Sequence, residues 1–567
     1  MIVASAERIA DYTARGIWGS TTIDDLFRAA VIGGRERLAI ADASNKGDFT
    51  TMAPLRLSWL GLADLVDRLS LRLHEAGIGR DDVVGVQLPN CVELAAVYLA
   101  AARLGCIVSP FPIQYRTHEL ADLLPFAGAR AFITARNVKG HDAAAMVAAA
   151  VPSVTTILAW GGLSEGIIGT LDDLDAMTLD RLRLADIAAR AAVTANDSLT
   201  ITWTSGTEAR PKGVARSHNY WITAGQACAE AGELGDGDTL LNPFPMVHVG
   251  SLGGMFFPWL IKRGVLVQHQ PFDLDVFLRQ IAEERIAYTV APPAVLALLR
   301  QNAALRTRYD LSSLKSLGTG SAPLSPEVMQ WFQEELGLAV WNAFGSSEGC
   351  ALFGNRIDVP DPALRATYLP RFGVPGISFR SWASQVQETR LVDPATEREV
   401  TEAGQSGELR LRGAFVFTGY WNDPELSAAA FVADGFFRTG DMFELADASG
   451  AGAGEVPRFY RFIGRVREVI NRGGVKISPA EIEALIESHP NVREAAVIAM
   501  VDERLGERVC AVVATRDGAP IALETIVAHL KGLQIAVYKL PEHLVQLPAL
   551  PRNPVGKVRK RDLVVPG

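Results

Sequence analysis

The segment Thr204-Ser-Gly-Thr-Glu-Ala-Arg-Pro-Lys-Gly213 concentrates hydroxyls, glycines and a lysine. Small hydroxyl residues and glycine expose O–H and N–H donors that suit phosphate oxygens, and Lys212 adds a point charge. The segment is not a Walker A loop. Pro211 stands where that motif has the glycine before its lysine, and Gly213 where it has Ser or Thr after it. A β-type run, Leu199 to Thr202, precedes the segment, and the pattern predicts a helix after it. Taken alone, it is as often a polar turn as a phosphate cradle.

It does not stand alone. Gly320-Ser-Ala-Pro-Leu324, Asn342-Ala-Phe-Gly-Ser-Ser-Glu348, Gly407-Glu-Leu409, Gly419-Tyr-Trp421 and Thr439-Gly-Asp441 follow it in order. Gly464-Arg465 then opens a block ending in Ile470-Asn-Arg-Gly-Gly474, and Pro551-Arg-Asn-Pro-Val-Gly-Lys557 comes last. In residue types, order and spacing, from about Leu57 to Leu563, the series resembles the signatures of the acyl-adenylate-forming (AMP-dependent synthetase/ligase) superfamily. Acyl-CoA synthetases and stand-alone aryl-acid ligases are the members it is most similar to.

The resemblance implies an α/β fold: a large multi-subdomain N-terminal domain over residues 1–465 and a small, mobile α+β C-terminal domain over 466–567. It implies ATP, Mg²⁺ and CoA as cofactors, and a reaction in which a carboxylate attacks the α-phosphorus of ATP as pyrophosphate leaves. Two anions meet there, so positioning and charge neutralisation do most of the work. Thr204, Ser205, Gly206, Thr207 and Lys212 would hold the leaving pyrophosphate, and Thr207 and Glu348 the metal. Gly320, Ser321, Ala322 and Pro323 would pack against adenine, with Asn342, Phe344, Gly345 and Ser347 completing that side. Asp441 would accept the ribose hydroxyls beside Arg465, and Lys557 would span the carboxylate and the α-phosphate. Gly473 and Gly474, lacking a Cβ, would let pantetheine approach closely once the small domain swings about its hinge near Arg467.

Three departures bear on chemistry. Glu208 and Ala209 stand where the family usually has Thr and Gly, so the Glu208 carboxylate is expected to face solvent. Phe344 replaces the usual Tyr, which keeps the flat ring and loses the hydroxyl. In Pro245-Met-Val-His248 the histidine would border the acid pocket with Val249, Gly320 and Gly349, and Gly250, Gly253, Ser321 and Cys350 are neighbours. Relatives that bind 2-hydroxybenzoates typically carry Asn where Val249 stands. No Arg, Lys or Asp occurs at these positions, which points to an apolar monocarboxylate: fatty, alicyclic or aromatic. CoA is the expected acceptor. The hinge block and Leu505-Gly-Glu-Arg508 resemble aryl-acid ligases, so the alternative is a carrier-protein phosphopantetheine.

These residues need a scaffold. With 567 residues the chain suits two or more domains. Its net charge of −9 disfavours nucleic acid, so any nucleotide must be held by a local site. Five scattered cysteines without a CxxC pair argue for reduced thiols in a cytoplasmic protein, monomer or homodimer. The N-terminus has charges where a signal peptide needs an apolar core. Leu94 to Val108 is the most apolar run, but Arg103 interrupts it and it is short of the ~20 residues of a membrane span, so a buried helix is expected.

Leu62, Leu65, Val66, Leu69 and Leu73 mark an amphipathic helix stopping at Gly77. A strand at Val83 to Leu88, a helix at Val92 to Arg103, a strand from Ile107, a helix at Glu119 to Leu124 and a strand at Ala131 to Thr134 follow. This alternation predicts a largely parallel sheet covered on both faces, and it returns between Leu199 and Phe344. Residues 448–457, Ala- and Gly-rich, read as a surface loop. The last hundred or so residues read as a separate unit. Its helix carries Ile482, Leu485 and Ile486, its strands run Ala495 to Met500, Arg508 to Ala514 and His543 to Leu547, and a second helix spans Leu523 to Lys531.

Overall fold

In the computed structural model of the chain, the first amphipathic helix runs Trp59–Glu75. The Ser58 hydroxyl caps it by accepting Gly61 N–H, and Gly77 follows its end with φ 78°. The structure describes all residues except 163–168, 205–210, 321–323, 448–455, 467, 473–474, 503, 534, 536, 554–556 and 564–567. The loop expected at 448–457 falls largely outside the described residues.

The chain divides into two compact units. Met1–Thr367, Phe379–Gln387 and Arg412–Phe431 make one, and Tyr368–Ser378, Glu388–Leu411 and Val432–Gly567 the other. In the first, the βα rhythm is shared between two sheets. A seven-stranded sheet is ordered Gly169–Thr170, Thr156–Trp160, Ala129–Ala135, Val83–Gln87, Ile107–Pro110, Ser198–Thr204, Lys212–Ser217, and only its last pair is antiparallel. An eight-stranded sheet is ordered Cys350–Gly354, Ala339–Gly345, Ser316–Gly320, Tyr288–Val290, Thr239–Asn242, Val265–Gln268, Leu38–Ala41, Arg56–Ser58, parallel except at its two edge pairs. Thr204, Asn242, Gly320 and Gly345 each end a strand at its carboxyl edge, where α/β sheets place their ligands.

The helix Val92–Leu104 is buried along its whole length, as expected. Arg103 is tolerated there because it pairs with Asp24 at 2.9 Å and with Asp67. Among the described residues no helix is long and apolar enough to cross a membrane. Cys91, Cys106, Cys228 and Cys510 are buried thiols outside any disulfide.

A second buried charge cluster fixes the start of that helix. Lys46, 1% exposed, donates to Asp42 Oδ2 at 2.7 Å and to both Glu93 oxygens at 2.8 and 2.7 Å. Asp42 also accepts Val92 N–H at 2.8 Å and Leu55 N–H at 2.9 Å. Its carboxylate thereby does for the helix N-terminus what Cys91, the N-cap residue, does not. Burial pushes the Asp42 carboxyl up to about 6, with Glu93 adding to the rise and Lys46 opposing it.

The second unit holds most of an antiparallel sheet ordered Tyr368–Pro370, Phe459–Arg465, Phe437–Ala446, Ser406–Gly413, Gln387–Val392, Glu399–Val400. It also holds the small α+β part. The helices Pro479–Glu487 and Leu523–Gly532 pack Ile482, Ile486, Ile526 and Leu530 against Val497, Val509 and Val513. Those valines come from the strands Val492–Asp502 and Gly506–Thr515, and His543–Gln546 pairs parallel with the latter.

Candidate active site

Thr204 and Lys212 face each other across a hairpin. The strands Ser198–Thr204 and Lys212–Ser217 pair antiparallel with these two residues opposite one another. The expected helix follows at His218, with an unanticipated strand, Lys212–Ser217, between it and the loop. A strand wins locally because Gly213 fits a tight space: a Cβ there would stand 3.1 Å from Ile201 Cγ2, Trp203 Cζ3 and Trp421 Cβ. Ser217 then sets the helix start by accepting Tyr220 N–H. Thr204 Oγ1 is buried and has no hydrogen-bond partner among the described residues.

The Gly419-Tyr-Trp421 segment is laid along this hairpin. Trp421 N–H donates to Gly213 O at 2.8 Å, and Tyr420 forms a β-bridge with Val214. Lys212 Nζ consequently lies 5.2 Å from the Tyr420 ring centroid, within cation–π range. The Tyr420 hydroxyl donates to Glu348 Oε1 at 3.1 Å. Three motifs thus meet at one tyrosine.

Glu348 sits on a closed turn. Ser346 N–H donates to Gly349 O at 3.0 Å, and Ser346 Oγ accepts the N–H groups of Glu348 and Gly349 at 3.2 and 3.3 Å. The turn follows Ala339–Gly345, where Asn342 pairs with Thr319 and Gly354, Phe344 with Leu352, and Gly345 with Cys350. The register shifts between Phe344 and Gly345, a bulge that re-aims the chain toward the turn. Ser347 O accepts from the Arg216 guanidinium. Gly320 pairs with Ala343, and a Cβ at Gly320 would come within 2.8 Å of Ala343 O. Only a glycine lets these strand ends approach so closely.

The His248 segment is clamped from behind. Asn90 Oδ1 accepts Met246 N–H at 2.8 Å, Asn90 Nδ2 donates to Phe244 O at 2.8 Å, and Tyr98 Oη donates to Met246 O at 2.6 Å. His248 Nδ1 accepts Gly250 N–H at 3.1 Å, which leaves Nε2 as the protonated nitrogen of the neutral ring. Leu252–Phe256 continues as a π-helical turn, a geometry often found at functional sites. Val249 is half-buried. A methyl group placed on Gly253 would meet Val249 Cγ2 and Trp221 Cζ3 at 3.7 Å and Ala224 Cβ at 3.8 Å.

In the second unit, Asp441 and Arg465 are cross-strand partners, with Arg465 Nε 3.8 Å from Asp441 Oδ1. Gly440 takes φ 72°, Thr439 Oγ1 donates to Leu409 O at 2.7 Å, and Asp441 N–H returns to Thr439 Oγ1 at 3.0 Å. The Thr-Gly-Asp sequence is what this bulge within the strand Phe437–Ala446 needs: a hydroxyl to tie it and a glycine at the left-handed position. Lys557 is exposed on a turn closed by Asn553, whose Oδ1 accepts Lys557 N–H at 2.8 Å and whose N–H donates to Lys557 O at 2.8 Å.

Ser205, Gly206, Thr207, Ser321, Ala322, Pro323, Gly473 and Gly474 lie outside the described residues, as do Glu208, Ala209 and Arg467. Sequence reasoning passed over Tyr420 and Asn90. Gly-Tyr-Trp was noticed as a block but not as a contact, and Asn90 signals itself only as a polar residue between a buried strand and a buried helix.

Comparison with known proteins places this geometry. Residues 38–421 match the AMP-binding enzyme family, and residues 481–557 match the AMP-binding enzyme C-terminal domain. The chain is 31% identical over 554 residues to pyochelin synthase PchD of Pseudomonas aeruginosa, covering 97% of this chain and 93% of that one. It is 31% identical over 568 residues to 2-hydroxy-7-methoxy-5-methyl-1-naphthoate–CoA ligase of Streptomyces carzinostaticus, covering 98% and 94%. It is similar to the crystal structure of ATP-bound MatB from Rhodopseudomonas palustris, with a TM-score of 0.74 at 25% identity over 95% of this chain and 98% of that one. With the motifs seated on their strand ends and both parts of the family matched, the chain belongs to the AMP-binding enzymes of the acyl-adenylate-forming superfamily.

Proposed function

We propose that this adenylate-forming enzyme activates an apolar monocarboxylic acid as its acyl-AMP and passes the acyl group to CoA. In the first step a carboxylate oxygen forms a bond to the α-phosphorus and the bond to pyrophosphate breaks. In the second, a thiol sulfur forms a bond to the acyl carbon and AMP leaves.

On this reading Lys212, Thr204, Ser205 and Thr207 would take the phosphate oxygens, and Glu348 and Thr207 would hold Mg²⁺. The donor set fits. Glu348 is a single carboxylate that accepts from a neutral phenol, and among the described residues no three His, Cys, Asp or Glu converge into a protein-only cage. One carboxylate is what a magnesium ion carried mainly on phosphate oxygens requires. When bound, such an ion neutralises the charge developing on the leaving pyrophosphate. Phe344 offers a ring to adenine, Asp441 accepts the ribose hydroxyls, and Lys557 neutralises charge at the α-phosphate. Tyr420 orients the Glu348 carboxylate. Tyr420→Phe removes a hydrogen bond to a charged group, about 1.5–3 kcal/mol, so KM for MgATP is expected to rise at least tenfold with KM for the acid nearly unchanged. Initial-rate kinetics with each substrate varied in turn checks this.

The observation that carries the acid class is Val249, with Gly253, Trp221 and Ala224 around it. A ring hydroxyl placed there would lose its water without gaining a partner, a cost of about 1–3 kcal/mol, or roughly tenfold to a hundredfold in selectivity. The naphthoate–CoA ligase among the relatives supports CoA as acceptor, although its named acid carries a 2-hydroxyl group. The test is acid-dependent pyrophosphate release over a panel of acids, with CoA and a holo-carrier protein competing as acceptors. Benzoate, cyclohexanecarboxylate or a medium-chain fatty acid is expected to exceed salicylate and 2,3-dihydroxybenzoate in kcat/KM, and Val249→Asn to narrow the gap. A preference for a 2-hydroxybenzoate with transfer only to the carrier protein would replace this reading with that of a carrier-loading enzyme.

A further inference from the structure

We infer that Arg8, on an N-terminal helix that precedes the residues matching the family, is a positioning residue for Glu348 and Tyr420. The inference rests on the reading of Glu348 as the carboxylate that serves MgATP.

Arg8 lies on the helix Ala6–Ala14, capped by the Ser5 hydroxyl, which accepts Arg8 N–H at 3.2 Å. Its guanidinium reaches a segment about four hundred positions away and donates to three carbonyls: Phe417 O at 3.1 Å, Gly413 O at 3.0 Å, and Val416 O. Its Cζ lies 5.3 Å from the Tyr12 ring centroid and 5.8 Å from that of Trp18, and the two rings stand edge to face at 4.9 Å. The arginine is therefore held by aromatic packing on one side and turns its two terminal nitrogens to backbone on the other.

That backbone carries the candidate site. Phe417 N–H donates to Glu348 O at 2.8 Å, and Val416 forms a β-bridge with Gly349. The Phe417 ring packs against Tyr420 at 4.8 Å, and Tyr420 in turn holds the Glu348 carboxylate. Gly413 takes φ 152°, a backbone state that favours glycine, so the chain turns sharply where the guanidinium grips it. The peptide that gives the Phe417 N–H to Glu348 gives its carbonyl, Val416 O, to Arg8. A planar fork of donors suits three carbonyls at fixed spacing, whereas a lysine ammonium is a single point. Loss of the fork leaves the hydrophobic stem and the helix in place. What it frees is the peptide behind Glu348.

The experiment uses the full chain and three variants, Arg8→Met, Arg8→Lys and Glu348→Gln. Calorimetry measures binding of MgATP, metal-free ATP and AMP, and thermal unfolding is followed in parallel. Arg8→Met is expected to weaken MgATP by about tenfold while AMP and metal-free ATP stay within about twofold, with Arg8→Lys between Met and wild type. A merely structural arginine would weaken all three ligands together or none of them, and either result overturns the inference. Should Arg8→Met not fold, Arg8→Lys must by itself show the selective loss, and its absence sinks the proposal. Glu348→Gln separates the two levels. If it leaves the ratio of MgATP to metal-free ATP affinity unchanged, the reading of Glu348 fails and the inference falls with it. If it collapses that ratio and Arg8→Met does not move it, only the role of Arg8 is wrong.

Discussion

Lys557→Ala is expected to abolish acyl-AMP formation while leaving transfer from supplied acyl-AMP to CoA within about tenfold of wild type, one decade being ~1.4 kcal/mol. The lysine is exposed, and its turn is closed by backbone and by the Asn553 side chain. Removing the side chain beyond Cβ subtracts a charge and leaves these turn hydrogen bonds in place. A preorganised donor aimed at developing negative charge is worth about 10²–10³ in rate, and an ammonium between two anions belongs at the top of that range or above it. Single-turnover pyrophosphate release reports the first half-reaction, and thioester formation from synthetic acyl-AMP reports the second. Equal loss in both would mean that Lys557 serves the protein or the nucleotide generally, and its assignment to adenylation would be withdrawn.

Lys46→Met should cost about 3–5 kcal/mol of stability at neutral pH, because it strands two buried carboxylates without their cation. Asp42 and Glu93 both depend on that ammonium, and Asp42 also holds the first N–H of a wholly buried helix. The pH dependence has a definite sign. Burial has already raised the Asp42 carboxyl to about 6, above the ordinary carboxylate value of about 3.9 in an unfolded chain. The native state therefore binds the proton more tightly, so the penalty is present in full above that raised value. It is relieved as pH falls toward the unfolded value. Without Lys46 the rise is larger, so the deficit of the variant should shrink between pH 7 and pH 5. Urea unfolding at both pH values measures it. A deficit that stays constant or grows on acidification would show that the carboxylates are not charged in the native protein.

Sequence periodicity carried most of the fold because the elements are long and their apolar spacing is unambiguous. The helix Trp59–Glu75 needed only a period of 3.6 and a glycine stop, and the strand Val83–Gln87 only a short, β-rich apolar run. The strand Lys212–Ser217 was missed because it is short, begins with a charge and a glycine, and runs straight into a helix. What makes it a strand is its neighbour Ser198–Thr204, and pairing is a tertiary fact. The site divides in the same way. Lys212, Glu348, Asp441 and Lys557 could be picked out because each sits in a local motif. Tyr420 reaches Glu348 across 72 positions, Asn90 reaches Met246 across 156, and Arg8 reaches Phe417 across 409. No local pattern encodes such meetings; only the folded sheet brings them about.

The hairpin that ends in Thr204 and begins again at Lys212 fixes the place of Lys212 from its two strands. Its two anchors are clamped by the ladder, by Gly213 against Trp203, and by Trp421 on the outer edge. The ladder and these packing contacts therefore set where Lys212 points. A one-residue slip within either strand would instead turn Lys212 to the opposite face, since side chains alternate along a strand. Redesign around this segment should therefore keep both strands in register.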